Sequence, residues 1–217
     1  TVELKEVDED KLLFLVDQED VIEVEIIEDN GIVLYGVKTN LEGREEVINE
    51  ITNEISKLNK QNAEEFSTMS TCTRRIAPAT QTRYDGNASA RNRAESCYDY
   101  NPMTFKTERW TLSGGSIDGR WHDVNRPDQI RIGAEYKFNG YGITSFSFPA
   151  SAGWSRSGTT VSWMSSAQSG VYHLITPHNV IRSSTYGGDI TSLDVTTKAE
   201  VYVGSRIWRP VSTVRHR

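Results

Sequence analysis

The distribution of charge along the chain is the feature that most limits what it can fold into. Residues 1–66 carry six Lys or Arg against 19 Asp or Glu, a net of −13. Residues 67–217 carry 18 against 11, a net of +7, so the overall −6 conceals two opposed halves. The kind of base changes too: five of the six basic residues in the first part are Lys, and fifteen of the eighteen in the second are Arg. Two modules with different tasks account for this better than one domain. The expected organisation is an acidic α+β unit at 1–58, a linker at 59–70 and a basic all-β domain at 71–217.

The acidic unit has a readable pattern. In "VIEVEIIEDNGIVLYGV", Ile22, Val24 and Ile26 alternate with Glu23 and Glu25, the period of a half-buried strand. Asn30-Gly31 is the dipeptide of a tight type I′ turn, so a β-hairpin is expected, with "KLLFLV" as a third strand. After it, Thr39 and Glu42 fit a capping box, and Val47, Ile51, Ile55 and Leu58 fall on one face of a helix. The segment "NKQNAEEFSTMS" is polar and aperiodic, as a linker would be.

The basic part reads as antiparallel β. "QIRIGAEYKF", "ITSFSF", "TTVSW", "VYHLI", "ITSLDVTTKAEVYV" and "RIW" are short and rich in β-branched and aromatic residues, with "NGYG", "SRSG", "SAQSG" and "TYGGD" as turns between them. The fold class expected is therefore mainly β, a sandwich or small barrel, preceded by the hairpin-plus-helix unit. No fixed-period repeat argues for a propeller or solenoid. Ile207 and Trp208 should finish a strand that Pro210 ends, leaving "VSTVRHR" as a basic terminus.

Two cysteines, Cys72 and Cys97, lie in a polar stretch and are expected to form one disulfide, against the alternative of two reduced thiols. A closed loop of this length stabilises by about 3 kcal/mol in the chain-entropy model, and a disulfide implies an exported protein. The chain starts at Thr1 without Met, as a processed chain would. The longest apolar run, "LLFLV", falls far short of the roughly 18 residues a transmembrane helix needs, so no transmembrane segment is expected. The cysteine loop lacks CxxC spacing and His, and no cofactor or metal is expected.

No GxSxG, GxxxxGK[ST], GxGxxG or HExxH pattern is present. The Asp-Gly pairs in "YDGNAS" and "SIDGRWHD" are turn signals without the spacing of a calcium loop. His122, beside Arg120 and Asp123, has the neighbours of an acid-base residue, with an ordinary polar loop as the plainer alternative. His173, within "VYHLI", reads first as a core or edge histidine and only second as a catalytic group. With Glu135 and Arg131 these two form the nominees for a secreted hydrolase of ribonuclease type, the only reading that calls for nucleic acid. The leading expectation is instead binding: a cell-surface, glycan or other anionic target, with toxin or antimicrobial as candidate roles. Arg74, Arg75, Arg91 and Arg93 in a basic disulfide loop would meet the anion, and Trp121 and Trp154 belong to an aromatic set larger than one sandwich core needs. Contact between the acidic unit and the basic domain is expected, the first masking the second.

Overall fold

A computed structural model describes residues 1–17, 20–41, 44–58, 72–101, 106–149 and 153–217. Strands β1 (Val2–Asp8), β2 (Lys11–Val16), β3 (Asp20–Asp29) and β4 (Ile32–Val37) form an antiparallel meander. Asn30 and Gly31 both take positive φ, 52° and 79°, which is what a type I′ connection between β3 and β4 requires. Strand β1, with its acidic face, adds to the three expected from the alternation. Helix α1 (Glu45–Leu58) then crosses one face of this sheet and buries Ile48, Ile51 and Ile55 against Phe14, Val24 and Val37.

The helix begins later than a Thr39 cap would place it. Ile48 N–H donates to the Arg44 carbonyl at 3.1 Å, so Arg44 stands at the cap position. Glu42, the other half of that expected box, lies outside the described residues, as does the segment 59–70 read as a linker. The buried stripe starts at Ile48 rather than Val47, which is only partly covered.

Strands β5 (Arg74–Asp85) and β6 (Ala88–Asn101) form a long hairpin, bridged by the Cys72–Cys97 disulfide, where the sequence suggested a basic loop. In β6, Ala88, Ala90, Asn92 and Ala94 alternate with Ser89, Arg91 and Arg93, without β-branched residues. Ala88, Ala90 and Ala94 face the core, because small side chains here let the opposite layer approach. β6 pairs along its length with β7 (Thr107–Trp121), β7 pairs with β12 (His173–Pro177), and β12 pairs with β4. The acidic strands and the rest thus share one hydrogen-bonded sheet. Adjacent residues of β12 serve opposite faces, Leu174 the main core and Ile175 the core under α1.

The second layer is built from β8 (Gln129–Ser147), β9 (Trp154–Ser157), β10 (Thr160–Met164), the two-residue β11 (Gln168–Ser169), β13 (Ile181–Val203), β14 (Arg206–Trp208) and β15 (Val211–His216). β7 lies directly over it: a Cβ at Gly119 would stand 2.7 Å from Ile132 Cγ2 and 3.0 Å from Ala199 Cβ. The molecule is mainly antiparallel β with one helix, an arrangement consistent with a β-sandwich.

Three expected boundaries are replaced by continuous or additional strand. "NGYG" and "TYGGD" are not turns; both lie inside long strands, β8 and β13, at facing irregularities in register. There Gly140 and Gly188 approach the partner backbone so closely that a Cβ would fall 2.0 Å from Asp189 O and 2.2 Å from Tyr141 O, respectively. Bulges of this kind bend a strand pair, here where β13 leaves β7 to follow β8. The basic terminus is not a tail either, since β15 pairs with β13 and buries Ser212, Val214 and His216.

Candidate functional site

Directly opposite residues of an antiparallel ladder point to the same face, and so do residues two apart. Registers across β12, β7 and β6 therefore set out successive rows beneath α1: His173, Arg120 and Ser89; then Ile175, Asp118 and Arg91; then Pro177, Ser116 and Arg93. Rows two residues apart are spaced by roughly 6.6 Å. A helix repeats the same face every four residues, about 6 Å. Glu45, Asn49 and Asn53 are spaced that way on α1, so one edge of the helix can serve each row in turn.

It does so in order. Arg120 donates to Glu45 Oε2 at 2.9 Å and to Asn49 Oδ1 at 3.1 Å. Arg91 also donates to Asn49, and Arg93 donates to Asn53 Oδ1 at 3.0 Å. Arg120 is held from below as well, by Asp118 at 3.0 and 2.8 Å. It is almost fully buried, 3% exposed, beside a 1% exposed Asp118. Burial opposes the charge on Arg120, but Asp118 and Glu45 outweigh it and leave the pKa raised. Among the described residues, Arg91 has no such carboxylate of its own. Burial, with Arg120 and Arg93 nearby, lowers its pKa against the pull of Asp118.

His122 follows β7 at the end of the first row. Its Nδ1 lies 3.3 Å from Glu45 Oε1, and its Nε2 lies 2.8 Å from Ser89 Oγ. The ring also meets Tyr84 at a centroid distance of 5.5 Å. Burial lowers the His122 pKa, opposed by Glu45. His173 is in the same row and fully enclosed; burial first, then Arg120 and His122, drive its pKa well down. It sits as a neutral imidazole, with neither ring nitrogen hydrogen-bonded among the described residues. The far end of the ladder opens into a cavity of about 480 Å³, whose lining includes Arg93, Asn53, Lys57 and Glu95.

The remaining nominees are elsewhere. Arg131 pairs with Glu200 at 2.6 Å and Glu135 with Lys198 at 2.8 Å, on the outer side of the opposite layer. Their strand-mates Ile130, Ile132 and Ala134 fill the core between them and β7. The four groups named for RNA cleavage therefore do not converge: His122 and His173 come together, and Arg131 and Glu135 lie across the sandwich. Trp121 and Trp154 are core residues, 3% and 9% exposed, not a binding surface. Trp121 packs on Trp208 and donates to the Asn125 carbonyl at 2.7 Å; Trp154 stacks on Tyr136. Arg74 and Arg75 are exposed at the disulfide end of the hairpin, opposite Tyr98 and Cys97, roughly 15 Å along the strand from Arg93 at the near end of the ladder.

Sequence reading missed Glu45, Asn49, Asn53, Ser89 and Asp118. The available signal was the alternation "SARNRAE" opposite "GGSIDGRW", legible only once the two segments are paired. Among the described residues, no group of three or more His, Cys, Asp or Glu is placed to hold a metal, and no helix is long and apolar enough to cross a membrane.

No family model matches the chain, and no curated protein matches it. A solved structure described as "Complete structure of manganese lipoxygenase of Gaeumannomyces graminis and partial structure of zonadhesin of Komagataella pastoris" aligns over 99% of this chain and 77% of its own. Identity is 7% and the TM-score 0.25, too low for the likeness to carry an argument.

Proposed function

We propose that residues 1–58 are a pro-region-like cover for an anion-binding face on an exported β-sandwich domain, residues 71–217. In this reading the covered face serves a cell-surface, glycan or other anionic target, as a toxin or antimicrobial would use it. The observation that carries the reading is the docking of Glu45, Asn49 and Asn53 on Arg120, Arg91 and Arg93. Acceptors on α1 occupy donors that a phosphate, sulfate or carboxylate could take instead. Removing them leaves Arg91 without a dedicated acceptor and opens Arg93 beyond its contact with Glu95. The Cys72–Cys97 disulfide is compatible with export.

Release of the cover is costly, because β4 pairs with β12 and three isoleucines of α1 are buried. A cut within 59–70 therefore has to be followed by loss of the whole unit. The test is limited proteolysis in that segment, separation of the two pieces, and comparison of cut and uncut protein on heparin beads over a salt series. Expected is binding by the 71–217 piece that weakens steeply with salt, and little binding by the uncut chain. Equal binding by both, or none by either, defeats the cover reading.

A further inference from the structure

Three groups from three elements meet where the first turn of α1 reaches the end of the ladder. Ser89 Oγ lies 2.8 Å from His122 Nε2, and His122 Nδ1 lies 3.3 Å from Glu45 Oε1. We propose that Ser89, His122 and Glu45 form an acyl-transfer site, with Ser89 as nucleophile, His122 as base and Glu45 as the positioning carboxylate, acting on small esters. Glu45 Oε1 stands within charge-pair distance of Nδ1, which favours a proton on that nitrogen and leaves Nε2 to accept from the serine hydroxyl.

The supporting frame is stiff. Ser89 is held between β5 and β7, opposite Tyr84 on one side and Arg120 on the other. The backbone N–H of His122 donates to the Asn87 carbonyl at 2.9 Å. Burial lowers the His122 pKa against the pull of Glu45, which favours the basic form of the imidazole.

Access is from the sheet edge. Ser89 has no exposed surface, but its lateral neighbour Tyr84 is 63% exposed on the edge strand β5. The Tyr84 side chain must therefore move aside before a small acyl group can reach Oγ.

In the reaction, Ser89 Oγ bonds to the ester carbonyl carbon while its proton passes to His122 Nε2. The tetrahedral adduct collapses, the carbon–oxygen bond to the leaving group breaks, and the alkoxide takes the proton from His122. Water then attacks the acyl-serine with His122 again as base, releasing the carboxylic acid and restoring the Ser89 hydroxyl.

The site is assembled only while α1 is docked. It does not depend on anion binding, and loss of residues 1–58 would abolish it while unmasking the arginines. The test uses the intact protein and a small fluorophosphonate, with the labelled residue found by peptide mass. Expected is a single label on Ser89, faster in Tyr84→Ala. Expected also is a fall of on the order of 10²-fold in His122→Gln, and a smaller fall in Glu45→Asp than in Glu45→Gln, with melting temperature confirming that each variant folds. Absence of label on Ser89 in both the natural chain and Tyr84→Ala overturns the proposal. So does a labelling rate indifferent to both His122→Gln and Glu45→Gln.

Discussion

The two charged faces of this molecule are built on the same principle and depend on different things. On the outer face of the second layer, Arg131 meets Glu200, Lys198 meets Glu135, and Arg215 donates to Asp194, each pair drawn from neighbouring strands. That face satisfies itself and remains open to water; Arg215 is 52% exposed. Under α1, Arg120 is 3% exposed, and the acceptors of Arg91, Arg93 and Arg120 come partly from another element. A self-paired ladder keeps a sheet soluble, whereas a ladder completed from outside makes the docked helix part of its chemistry. The same strand, β6, carries both solutions to burial: Ala residues toward the sandwich, Arg residues toward the helix.

Three substitutions or conditions test this contrast. Asp118→Ala should have the largest effect, because it leaves a buried guanidinium short of its carboxylate. A loss of about 3 kcal/mol or more is expected in urea unfolding. An unchanged midpoint would mean that Glu45 and Asn49 alone suffice.

Acidification comes next. His178 is enclosed between the layers, with Tyr136 OH 3.0 Å from Nδ1 and Asn92 Oδ1 3.3 Å from Nε2. Burial lowers the His178 pKa to about 3, with a hydrogen bond to the Arg93 backbone opposing it and the titratable His216 nearby adding to it. Between about pH 6.5 and that value the unfolded chain binds a proton that the native state refuses. Stability is therefore complete above pH 6.5 and falls by about 1.4 kcal/mol per pH unit below it from this group alone. Going from pH 6.5 to 5 should cost about 2 kcal/mol, and His178→Gln should flatten the unfolding free energy against pH by one proton's slope. An unaltered slope would mean that the imidazole is already charged in the native state.

The smallest effect belongs to the outer face. Lys198→Ala removes one surface pair and should change stability by less than about 1 kcal/mol, vanishing at high salt. A loss as large as that of Asp118→Ala would erase the distinction between the two faces.

What could be read in advance follows the range of the interactions concerned. The β3–β4 hairpin was legible because Ile22, Val24, Asn30 and Gly31 act on their immediate neighbours. The helix was legible to within one residue of its buried face, although not at its start, where a favourable Thr39 yielded to Arg44. The β5–β6 hairpin was not, because Ala90, Arg91, Asn92 and Arg93 lack strand propensity and are held by cross-strand and interlayer contacts. Trp121 and Trp154 read as surplus aromatics because nothing local reveals that two packed layers and a helix create two cores. "NGYG" and "TYGGD" read as turns because glycine permits a turn and a bulge equally. The facing backbone selected the bulge.

By itself, the sequence determined the opposed charges of the two halves, the β-rich character and the residue types available for anion binding or proton transfer. Those follow from composition, two-residue alternation and turn chemistry, which are local. The tertiary structure alone decided that Glu45 reaches His122 and Arg120, that Asn49 and Asn53 meet Arg91 and Arg93, and that Ser89 lies beside an imidazole. The reason is register: a slip of one residue among β6, β7 and β12 would turn the strand residues of the slipped strand, such as Ser89, Arg91 and Arg93 on β6, away from the helix. Register is set by the packing of whole layers.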